Sequence, residues 1–107
     1  MNPQNDQNPL RSEFWNDPDM SELVTEYVQS MPNRLNSILS AYESRHREQL
    51  IRIVHQLKGS GGGYGFPQLT AAADKLEQRL RSLNDQDISM AGPELKTLIA
   101  ICSRMAA

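Results

Sequence analysis

One stretch of the chain gathers residue types that could do chemistry: His55, Lys58 and the glycines Gly59, Gly61, Gly62, Gly63 and Gly65. A neutral imidazole is a competent nucleophile and proton carrier near neutral pH. An ammonium three positions on places a cation one helical turn from the ring. A glycine four positions on, one helical turn away, removes the side chain that would screen the ring. Together they would make one accessible nucleophile with a cation beside it, cleared for another macromolecule to press its surface against the ring. Other uses of these residues fit worse. GSGGGYGF lacks the Lys-Ser or Lys-Thr of a phosphate-binding loop, and neither it nor a dinucleotide fingerprint has a strand before it. His46 and His55 have no companions at metal-ligand spacing, so no metal site is expected. Ser60 belongs to no serine–histidine–acid arrangement. Cys102 is expected to be a small core residue.

The element that must position His55 is a helix beginning near Arg47, with Leu50, Ile51, Ile53, Val54 and Leu57 as its apolar face. At about 100° per residue, His55 points roughly 130° away from the centre of that face. Glu48, Arg52 and Gly59 lie on its side, Gly62 continues the line if the helix persists, and Lys58 flanks it. The plainer alternative is a solvated histidine on a helix that stops at Gly59, with residues 59–65 as a flexible loop.

The remaining pattern is helical. Met20, Leu23, Val24, Tyr27, Val28, Met31, Leu35, Ile38, Leu39 and Tyr42 keep helical phase across Pro32, which predicts one kinked helix or two nearly collinear ones. Asp19 and Glu22 resemble a capping pair at its start. Phe66, Leu69, Ala73, Leu76, Leu80 and Leu83 form a third stripe with Pro67 near its beginning. After a polar turn at Asn84–Asp87, Leu95, Leu98, Ile99, Cys102 and Met105 make the last one, begun or broken at Gly92-Pro93. Tyr64 and Phe66 are expected to close one end of the core. No stretch shows sustained strand alternation, so the expected fold is all-α, an antiparallel four-helix bundle over residues 18–107. Residues 1–17, rich in Asn, Gln and Pro, read as a flexible N-terminal tail whose last residues could lie against the domain.

With 107 residues the chain holds one domain, too little for separate cofactor and substrate domains. Eleven basic residues against thirteen acidic ones leave a net charge of −2, which gives no basic field for nucleic acid. No apolar run reaches the length of a membrane span, the N-terminus does not read as a secretory signal, and one cysteine fits a reducing compartment. A cytoplasmic monomer is the expectation.

The string His55-Gln-Leu-Lys58-Gly59-Ser60-Gly-Gly-Gly-Tyr-Gly65, followed by Phe66 and Leu69, resembles the signature of histidine phosphotransfer (HPt) domains of two-component phosphorelays. The resemblance implies a phosphocarrier with no kinase activity of its own. His55 would take a phosphoryl group from a histidine kinase or from the aspartyl phosphate of a response-regulator receiver domain, and pass it to another receiver. No cofactor is implied on the chain itself, because the receiver supplies Mg²⁺ in this family. Lys58 would offset phosphoryl charge, and Arg52, Gln56, Gly59, Ser60 and Gly62 would meet the receiver. Glu77 has two readings: a partner for the His55 ring nitrogen that is not phosphorylated, as in related chemotaxis-type domains, or an exposed acid paired with Arg81 one turn on. Asp74 is the fallback partner for the ring. The alternative function is a small helical adaptor that binds a signalling partner without phosphotransfer.

Overall fold

The computed structural model describes residues 8–107. Five α-helices carry the fold: α1 (Ser21–Gln29), α2 (Met31–Glu43), α3 (Arg47–Gly63), α4 (Pro67–Arg81) and α5 (Gly92–Arg104), with a 3-10 segment at Asp85–Ala91 before α5. Two short strands, β1 (Leu10–Arg11) and β2 (Met105–Ala106), pair in parallel with Leu10 opposite Met105. Helices α2 to α5 each pack on the next, and α5 returns against α2, so the four close into a ring. Ile38, Leu50, Val54, Leu57, Leu69, Leu76, Leu80 and Leu98 fill its interior without exposure to solvent. Each such side chain contributes about 1.5–3 kcal/mol of apolar burial, and Cys102 is buried among them.

The stripe that runs through Pro32 belongs to two helices that meet at Ser30 rather than to one kinked helix. Pro32 occupies the first turn of α2, where a missing N–H leaves no helical hydrogen bond unmade. Ser30 staples the junction: its Oγ donates to the Tyr27 carbonyl at 2.6 Å and accepts from Arg34 Nε at 2.9 Å. The expected Asp19 cap is absent. Helix α1 begins after Met20 with no side-chain cap, and Asp17, not Asp19, organises the approach by accepting from the Asp19 N–H at 2.9 Å.

Helices α3 and α4 run in opposite directions, and that pairing builds the site. At one end, Arg47 at the start of α3 donates to the Leu80 and Arg81 carbonyls that end α4, at 3.1 Å each. At the other, Gly61 faces Thr70: a Cβ on Gly61 would stand 2.8 Å from Thr70 Oγ1 and 3.2 Å from its backbone nitrogen. Glycine there lets the two backbones approach, and the Thr70 hydroxyl closes the seam by donating to the Lys58 carbonyl at 2.9 Å. The helix does not stop at Gly59; it continues to Gly63. Gly65, at φ +86°, then makes the left-handed turn into α4.

Of the 1–17 stretch, residues 1–7 lie outside the described residues, and Leu10–Phe14 is held to the bundle. Ser12 is buried, its Oγ donating to the Tyr64 carbonyl at 2.6 Å, and the Glu13 N–H donates to the Gly65 carbonyl at 2.8 Å. Tyr64 stacks on Tyr27 with ring centroids 4.1 Å apart, and Phe66 is buried beside them.

Candidate functional site

His55 stands in the middle of α3 with its side chain 61% exposed. Its Nδ1 lies 3.0 Å from Glu77 Oε2 on α4. Glu77 is among the most buried charged groups of the chain, its side chain only 5% exposed. Burial alone would favour the neutral acid, yet the carboxyl is held down to about 2, chiefly by the Lys58 ammonium and further by Arg81 and His55. Glu77 is therefore a carboxylate and can only accept. A neutral His55 then carries its proton on Nδ1, which leaves the lone pair on Nε2 of a largely exposed ring.

Three groups converge on this one carboxylate. Lys58 Nζ makes an ion pair with Oε1 at 2.9 Å, while Arg81 donates to Oε2 from Nε at 3.1 Å and from Nη2 at 2.8 Å. Glu77 lies against the ring and also pairs with Arg81 one turn along, and it is buried, not the exposed acid of the second reading. Asp74 does not meet His55. It takes Lys58 instead, with Nζ 3.3 Å from its Oδ1, and Gln78 Nε2 donates to its Oδ2 at 2.8 Å. The two carboxylates raise the Lys58 ammonium above its ordinary value, Glu77 more than Asp74.

From the ring toward the end of α3, glycines leave the helix surface bare. A Cβ on Gly59 or Gly63 would meet nothing within 4 Å, and one on Gly62 would reach only Thr70 Oγ1 at 3.6 Å. Arg52 and Gln56 are exposed on the same helix. Ser60 differs: it is half-buried, with its Oγ 2.6 Å from the Tyr27 hydroxyl. Burial pushes that tyrosine hydroxyl up despite the Ser60 contact. No local spacing marks the Asp74–Lys58 pair or the Thr70 latch, since both depend on how α3 and α4 are juxtaposed. Arg81 was visible through its spacing from Glu77. Among the described residues, no three His, Cys, Asp or Glu side chains gather as metal ligands, and no helix is long and apolar enough to cross a membrane.

An exposed imidazole, its Nδ1 against a buried carboxylate and with a cation beside it, thus stands on the surface of a helical bundle. The family model of the Hpt domain matches residues 22–107, and the chain belongs to that family of phosphotransfer-relay domains. No curated protein and no solved structure matches the chain significantly.

Proposed function

We propose that the protein carries a phosphoryl group on Nε2 of His55 between signalling partners, on the antiparallel four-helix scaffold of its family. The observation that carries this reading is the fixed Nδ1–H···Glu77 contact beneath an open Nε2. In loading, the Nε2 lone pair forms the new P–N bond as the P–O bond to a receiver aspartate breaks, and that electron pair returns to the aspartate carboxylate. The ring keeps its Nδ1 proton and becomes cationic, and the Glu77 carboxylate stabilises that charge. Passing the group onward reverses the sequence and releases a neutral imidazole, a good leaving group. Lys58 lies on the same face to offset charge on the phosphoryl oxygens, whose positioning dominates such transfers. Mg²⁺ would be held by the receiver, which supplies most of the charge neutralisation during the exchange.

The partners are response-regulator receiver domains and a histidine kinase, met on the shelf of Arg52, Gln56, Gly59 and Gly62, with Ser60 at its inner edge. The protein acts as a cytoplasmic monomer with no kinase activity of its own. Mixing it with a phosphorylated receiver should leave acid-labile, base-stable phosphate on the wild type and none on His55→Gln. Equal labelling of both would overturn the assignment, and binding of a receiver without any label would favour a plain adaptor.

A further inference from the structure

The geometry points to Asp74 as a positioning residue that competes with the phosphoryl group for the Lys58 ammonium. The inference rests on the phosphocarrier reading above. Lys58 stands between two carboxylates of unequal character. Glu77 is buried, close at 2.9 Å, and locked by Arg81 and His55 as well. Asp74 is 41% exposed and farther from the ammonium at 3.3 Å, and the Gln78 amide holds its carboxylate in place. An exposed pair of this kind is the weaker of the two.

A phosphoryl group on Nε2 brings new negative charge to a site where Lys58 and Arg81 already balance Asp74 and Glu77. Lys58 can turn toward it most cheaply by releasing Asp74 while keeping Glu77. Asp74 thus withholds part of the cation that would stabilise phospho-His55. A phosphocarrier gains from that restraint, because a group held too firmly is not passed on. In hydrolysis, a water oxygen forms the new P–O bond as the P–Nε2 bond breaks. The bonding pair returns to Nε2, and the products are neutral His55 and dihydrogen phosphate. An ammonium on the phosphoryl oxygens stabilises the charge-rich phosphorylated state against this loss.

The test loads purified full chain with phosphoramidate, a small-molecule donor that needs no partner, and follows loss of phosphate from His55 by intact mass and ³¹P NMR. Asp74→Asn should lengthen the phosphohistidine lifetime about two- to fivefold, the scale of an exposed ion pair. Asp74→Glu should return it toward the wild type. In a Lys58→Ala background, Asp74→Asn should change nothing, which a merely structural role or a direct field from Asp74 would not produce. An unchanged lifetime in Asp74→Asn, or the same lengthening without Lys58, overturns the inference and leaves the phosphocarrier reading standing. If wild type and His55→Gln load equally, both fall.

Discussion

Replacing Gly59 with alanine should make the folded protein more stable and the carrier less able. Gly59 lies inside α3, four residues before its end, where glycine costs about 1 kcal/mol relative to alanine. Most glycines that survive in a helix are excused by close packing, as Gly61 is against Thr70. Gly59 has no such excuse, because a Cβ there would meet nothing within 4 Å. The full propensity gain of about 1 kcal/mol should therefore appear, as a rise of roughly 4–8 °C in Tm or about 0.5 M in urea midpoint at an ordinary slope. Circular dichroism melts and urea titrations read it directly. Transfer from a phosphorylated receiver should slow in the same variant, and Gly59→Leu should slow it further while remaining folded. A destabilised Gly59→Ala would show that the glycine serves the bundle. An unaltered transfer rate in Gly59→Leu would show that nothing approaches that shelf.

Gly61→Ala should behave oppositely, losing about 1–3 kcal/mol, because its Cβ would press on the Thr70 hydroxyl and, behind it, the Thr70 backbone; the same urea titration checks it. Lys58→Ala should keep its circular dichroism spectrum while transfer slows or phosphohistidine decays several-fold faster; unchanged kinetics would remove the ammonium from the mechanism. For Glu77 the folded carboxyl sits at about 2 against 4.5 for the free group. A depressed acid stabilises the fold above the unfolded value, and that contribution disappears as pH falls from about 4.5 toward 2. The stability gap between wild type and Glu77→Gln should be about 1–2 kcal/mol at pH 7, allowing for the solvent around Lys58 and Arg81. It should shrink progressively below pH 4.5 in urea titrations, and a gap that is constant with pH would contradict the ionised hub.

Much of the site was legible because it is written along helices. The phase of Leu50, Val54 and Leu57 turned His55 outward, and its spacing to Lys58 and Gly59 follows from one turn of α3. Glu77 came from resemblance, and its placement depends on α4 lying antiparallel to α3, which the three-residue link Tyr64–Phe66 enforces. What escaped depends on contacts distant in sequence. Ser12 reaches Tyr64 across 52 positions, and no local pattern marks a polar segment as docked. Gly61 is one of five glycines between positions 59 and 65, and only its juxtaposition with Thr70 gives it a packing role. Pro32 kept the stripe in phase because a single residue, Ser30, separates α1 from α2, so the break left little trace in the spacing.

The pairing of Leu10–Arg11 with Met105–Ala106 brings the chain's entry into the bundle beside its exit. A polypeptide that comes in and goes out at one doorway can be spliced into a loop of a host protein, or cut elsewhere and rejoined there by a short linker, with little rearrangement of the helices. The same doorway is a zipper two residues long: losing either half would leave the other half's peptide groups to water.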